Sequence, residues 1–160
     1  MYSVKHINWG YLIFSLFLSL GTGALAGFLT RDNTYIYSEL NLPPLSPPSI
    51  VFPVVWSILY FLMGISAYII LQSDSPNAKS ALFIYVIQLL LNFSWSIVFF
   101  NYQQYLASFI ILVILWVLVL IMTIKFYRIN KLAGILQIPY LLWISFAGYL
   151  NLGILLLNQK

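Results

Sequence analysis

Four long stretches of this 160-residue chain contain no Asp, Glu, Lys or Arg: 7–30, 40–73, 80–124 and 132–159. A helix crosses the hydrocarbon core of a bilayer with about 20 apolar residues, so each stretch is long enough to span and the third can span twice. Lipid is therefore the solvent of most of this chain. Polar groups inside such spans are costly and have to face protein or a cavity, which restricts where function can reside.

Hydrophobic residues make up 62% of the chain and charged residues 6%, a balance that a soluble fold of this length cannot bury. The net charge is +4, but the bases sit at segment ends rather than on one soluble face, so a nucleic-acid partner is not expected. Without Cys there is no disulfide framework, thiolate nucleophile or Cys metal site.

The expected fold is all-α: a single transmembrane domain, residues 1–160, built as a bundle of five helices over 8–29, 50–72, 79–100, 105–124 and 133–157. Asn101-Tyr102-Gln103-Gln104 divides the third stretch, because four polar or amphipathic residues in a row suit an interface turn. The loop 31–49 holds Asp32, Glu39 and Leu42-Pro43-Pro44-Leu45-Ser46-Pro47-Pro48, a run that favours extended polyproline geometry and reads as a semi-rigid flap over one end of the bundle.

Lys5, Lys79, Lys125, Arg128 and Lys131 fall at one end of this arrangement and Arg31 and Lys160 at the other. By the positive-inside rule the N-terminus is cytoplasmic and the Pro-rich loop lies outside. The start also resembles a signal peptide, with Ala24-Leu25-Ala26 as a small-residue cleavage site. Everything downstream spans the membrane too, so it is read as the first span. Gly23 and Gly27 then form a G-x-x-x-G pair that lets another helix approach closely.

All three acids, Asp32, Glu39 and Asp74, lie in loops, and His6 lies at the rim. No carboxylate pair, His cluster or buried Lys is available for acid/base chemistry, ion coupling or a metal, so no metal site and no required cofactor are expected. What the spans do hold is polar and aromatic residues at helical spacing. Trp56, Tyr60, Met63 and Ala67 share a face of span two; Gln88, Asn92, Trp95, Ser96 and Phe99 share one of span three; Tyr140, Trp143, Ala147 and Asn151 share one of span five. Singly, each is an ordinary core residue, an interfacial anchor or an amide bridge between helices. Together they describe an apolar pocket with a few convergent hydrogen-bonding groups. Pro139 is expected to kink span five just before Tyr140 and Trp143.

Pro47-Pro48-Ser49-Ile50-Val51-Phe52-Pro53-Val54-Val55-Trp56-Ser57-Ile58-Leu59-Tyr60, followed by Met63-Gly64 and Ala67-Tyr68, resembles the second-helix signature of the tryptophan-rich sensory protein / translocator protein family, also called the peripheral benzodiazepine receptor family. Gln88-Leu89, Leu91-Asn92, Trp95-Ser96 and Phe99-Phe100 resemble its third helix, and Pro139-Tyr140-Leu141, Trp143, Phe146-Ala147 and Leu150-Asn151 its fifth. The resemblance covers essentially the whole chain. It implies a five-helix bundle, a homodimer, that binds porphyrins such as protoporphyrin IX and ligands of the benzodiazepine and isoquinoline type.

Carried over by motif, Trp56, Asn92, Trp143 and Ala147 line that pocket, with Tyr60, Trp95, Tyr140 and Asn151 adjacent and Pro47 contributing from the loop. The resemblance also implies light- and oxygen-dependent breakdown of porphyrin, with the indoles of Trp56 and Trp143 in the catalytic role; the tetrapyrrole would supply the photochemistry. Its membrane would be the bacterial cytoplasmic membrane, or an organelle membrane in a eukaryote. Leu45 stands where the family often has an aromatic, and no base follows Tyr149 until Lys160, so the sterol-recognition pattern of animal members is missing and cholesterol is not an expected partner. The alternatives to a receptor are a passive transporter or exporter of tetrapyrroles or other hydrophobic ligands, gated by the flap, and a regulatory protein that senses ligand through its loops.

Overall fold

The computed structural model describes residues 6–158. Lys5 and Lys160, which enter the charge count above, lie outside them. Five membrane spans form the body. Helix α1 runs over Trp9–Thr30 and ends in a 3-10 turn, Arg31–Asn33; a short helix α2, Ile36–Glu39, lies in the first loop. Helices α3 (Val51–Leu71), α4 (Ala78–Ser96) and α5 (Tyr105–Ile129) follow, and the last span is made of α6 (Lys131–Ile135) and α7 (Ile138–Leu157). The described residues contain no strand.

Apolar composition makes the helices obligatory in lipid, since each backbone group has to be satisfied within its own segment. Local chemistry then sets their ends. Asn8 caps α1 by accepting from the Tyr11 N–H at 3.1 Å, and Asn130 caps α6 by accepting from Ala133 at 3.2 Å. Helix α5 continues through Lys125 and Arg128 to Ile129, past the first charge, because long basic side chains can reach the interface from within a helix. Lys125 Nζ donates to Ser80 Oγ at 2.9 Å, which places the start of α4 and the end of α5 at one end of the bundle. Among the described residues, Lys79, Lys125, Arg128 and Lys131 gather at that end and Arg31 stands at the other.

One segment differs from expectation. Pro139 does not bend a continuous helix: α6 stops at Ile135, two turn residues intervene, and Pro139 occupies the first turn of α7, where its missing N–H costs nothing. Gly134 permits the fold-back, because a Cβ there would collide with the backbone of Tyr127. The Pro-rich run 42–48 is free of helix, as expected. The front half of the first loop, to which the sequence reading assigned no secondary structure, is helical through the 3-10 turn and α2; the prolines begin only after Leu40.

Helix α1 packs chiefly on α3, α4 on α5, and α5 on α6 and α7. The α1/α3 contact is close because Gly64 admits Leu16 and Ser19, and Gly23 takes the ring of Tyr60. Gly27 meets nothing within 4 Å, so the G-x-x-x-G pair serves packing at one end and leaves a space at the other. The basic half of the bundle is filled by Met63, Ile70, Tyr85, Gln88, Leu115, Met122, Phe126, Tyr140 and Ile144, all essentially solvent-inaccessible.

An aromatic cavity beneath the first loop

The half of the bundle below the first loop is hollow. A cavity of about 850 Å³ is walled by the last turns of α1, the first turns of α3, the end of α4 and the second half of α7, with α2 as its roof. Small side chains create the room: Gly23, Ala24 and Gly27 on α1 face Ala147 on α7 across it. Trp56, Tyr60, Trp95, Ala147 and Asn151, expected at the site from the sequence, line it.

Trp56 is the hub of the aromatic wall. Its ring centroid lies 5.6 Å from Tyr60, 6.2 Å from Trp95 and 6.1 Å from Tyr140, which joins α3, α4 and α7. At the end of α4 the backbone passes into a π-helical segment, Ile97–Asn101, which carries Phe99 and Phe100 onto the cavity. Such a segment is a common device for re-aiming side chains at a site.

The amides beside the cavity are engaged by protein. Tyr60 Oη donates to Asn92 Oδ1 at 3.2 Å, Asn92 Nδ2 donates to Tyr140 Oη at 2.8 Å, and Tyr140 Oη donates to Gln88 Oε1 at 2.7 Å. Trp95 Nε1 and Ser108 Oγ each donate to Asn151 Oδ1 at 3.0 Å, while Asn151 Nδ2 donates to the Tyr105 carbonyl at 3.0 Å. Asn92 and Tyr140 lie behind the wall formed by Trp56 and Tyr60 and take no part in the lining. Their work is to lock the aromatic rings in place.

Trp143 is also one layer back. It packs against Phe146 at 5.6 Å and edge-on against Phe52 at 5.9 Å, and Phe52 is itself a lining residue. The Trp143 Nε1–H is buried without a protein partner. Pro47 stays in the flap, where its carbonyl accepts from Tyr37 Oη at 3.0 Å. Tyr37 lines the cavity roof, and burial raises its phenol above the usual 10, against a smaller lowering by Ser46, so the hydroxyl remains a donor at neutral pH.

The flap is strapped to α7. Tyr149 Oη donates to the Pro44 carbonyl at 2.7 Å, Asn158 exchanges two bonds of 3.0 Å with the Asn41 backbone, and Gly153 leaves room for the Pro43 ring. At the far side, Asn101 accepts from Asn33 at 2.8 Å and donates to the Leu29 carbonyl at 3.0 Å, holding the end of α1 to the π-helical segment. Sequence reading missed the contribution of α1, Arg31, Tyr37 and Phe52. The glycines and alanines of α1 were a usable signal, because small residues leave space as readily as they admit a helix.

The profile of the TspO/MBR family matches residues 14–157. The Tryptophan-rich protein TspO of Chlorobaculum tepidum is 37% identical over 155 residues, 91% of this chain and 97% of that one. The Tryptophan-rich sensory protein of Cereibacter sphaeroides is 33% identical over 95% of each chain, and the Translocator protein of Bos taurus is 33% identical over 86% of this chain and 83% of its own. Five apolar spans and this breadth of similarity make the chain a member of the TspO/MBR family of integral membrane proteins.

Proposed function

We propose that this protein is a membrane receptor for porphyrins, protoporphyrin IX among them, and for flat aromatic ligands of the benzodiazepine and isoquinoline type, held in the cavity beneath the first loop, with the N-terminus on the cytoplasmic side. One observation carries the reading: a cavity of about 850 Å³, within the roughly 300–1,000 Å³ of small-molecule sites, is walled by Trp56, Tyr60, Trp95 and Phe99. Indole and phenol rings offer stacking faces to a planar guest and lose little conformational freedom in doing so.

Light-driven turnover of the bound tetrapyrrole belongs to the same reading. The bound macrocycle would supply the photochemistry, and this chain would supply electron-rich rings beside it, Trp56 directly and Trp143 through Phe52. Passive transport is less well supported. The filled basic half of the bundle, closed by Met63, Tyr85, Gln88 and Tyr140, gives a ligand entering from the loop end nowhere to go.

Metal-free protoporphyrin IX titrated into purified protein in the dark should quench Trp fluorescence saturably, with Trp56→Phe weakening the quench. Illumination in air should then bleach the porphyrin faster with wild-type protein than with Trp56→Phe or Trp143→Phe. Quenching that rises linearly without saturation rejects the receptor; equal bleaching in all three samples rejects the turnover.

A further inference from the structure

Every residue lining the cavity is uncharged except Arg31. It follows α1 directly and opens the 3-10 turn, at the level of the roof formed by Thr34, Tyr35, Tyr37 and Ser38. A cation at this position also complements the negative end of the α1 dipole, which explains a base there but not its place on the cavity wall.

The guanidinium is oriented yet not consumed. It lies 4.2 Å over the Phe28 ring, which fixes its plane, and its Nε sits 3.6 Å from Asp32 Oδ1 in an ion pair whose side chains are 59% and 86% exposed. So exposed a pair is weak and readily exchanged for a better partner. Four lining hydroxyls nearby have already donated their protons to backbone carbonyls, Thr30 to Ala26, Thr34 to Arg31, Tyr37 to Pro47 and Ser38 to Tyr35, while those of Tyr35 and Ser49 are neutral. Arg31 is thus the one cationic donor that the lining offers an anion. It is also the one base there among the described residues, beside the acids Asp32 and Glu39, so without it an anion would meet net negative charge.

Resting on the receptor reading above, we infer that the natural ligand is an anionic amphiphile, a planar apolar body with a carboxylate at its edge, and that Arg31 selects it by pairing with that carboxylate at the loop end of the cavity. The flat body lies against Trp56 and Trp95; the acid group points to the membrane surface, where it keeps part of its hydration. Arginine suits this task because its planar fork meets a carboxylate with two parallel hydrogen bonds.

Deuteroporphyrin IX and its dimethyl ester, both metal-free, separate this inference from the receptor reading when titrated in the dark into full-length protein in phosphatidylcholine nanodiscs, which lack competing anionic headgroups. Arg31→Gln should weaken the free acid by about five- to tenfold and leave the ester within about twofold. Partition of each compound into lipid cancels in the ratio of wild type to variant. Asp32→Asn, which removes the competing acid, should tighten the free acid and leave the ester unchanged. Equal affinity of wild type and Arg31→Gln for the free acid, or an equal loss for both compounds, overturns the role of Arg31 while the receptor stands. Failure of the wild type to bind either compound saturably overturns both.

Discussion

The Tyr140 hydroxyl stands between two buried amides, accepting from Asn92 and donating to Gln88. Tyr140→Phe keeps the ring beneath Trp56 but leaves both amides short of a partner in a filled core, so it should cost about 1–3 kcal/mol and lower the melting temperature in detergent. Trp56→Phe removes the hub of the cavity wall and touches no such network; it should stay within about 1 kcal/mol of wild type and lose porphyrin affinity. Should Tyr140→Phe melt with the wild type, the chain from Tyr60 to Gln88 has no structural weight. That Gln88, Asn92 and Asn151 matter was legible in the sequence, since an amide deep in a span is costly unless paired. What each one faces was not. Helical spacing groups residues on a stripe but does not say how the helix is rotated, and it is rotation that turns Asn92 toward Tyr140 and leaves the cavity wall to Trp56 and Tyr60.

At the scale of the element, α1 contributes to packing with one part of its length and to the cavity with the other. Gly64 of α3 lies so close to α1 that an added Cβ would come within 2.8 Å of the Leu16 side chain and 3.1 Å of its Cα. Gly64→Ala therefore has to push the helices apart, with an expected loss of about 1–3 kcal/mol in thermal unfolding. Gly27 lines the cavity with nothing within 4 Å of its Cβ position. Gly27→Leu should fold with an unchanged melting temperature while its side chain fills ligand space, cutting porphyrin affinity about tenfold or more. A Gly27→Leu protein that binds at full strength would show that ligand sits elsewhere. The count of membrane spans could be read from the four charge-free stretches together with the polar break at 101–104. The break at Leu136 and Gln137 could not, because Pro139 is compatible with a kink or with a new first turn, and only the contact of Gly134 with Tyr127 decides between them.

At the scale of the whole molecule, the cavity lies beneath the first loop, so the membrane face it adjoins is the one that loop occupies. On the orientation proposed above, Lys79, Lys125, Arg128 and Lys131 at one end against Arg31 at the other predict that the loop lies outside. The chain has no Cys, so single cysteines report sidedness without background. Glu39 and Asn77 are exposed and lie in the two opposite ends, Glu39 at the end of α2 and Asn77 just before α4. Neither substitution alters a Lys or Arg, so neither disturbs the bias being tested. In intact cells a membrane-impermeant maleimide should label Glu39→Cys and spare Asn77→Cys, and permeabilisation should bring Asn77→Cys to the same level. The reverse pattern would invert the bundle and put the loop end of the cavity, with Arg31, on the cytoplasmic side. Labelling of both sites in intact cells would mean two orientations coexist, and a five-helix protein with so small a basic excess would then take up ligand from either face.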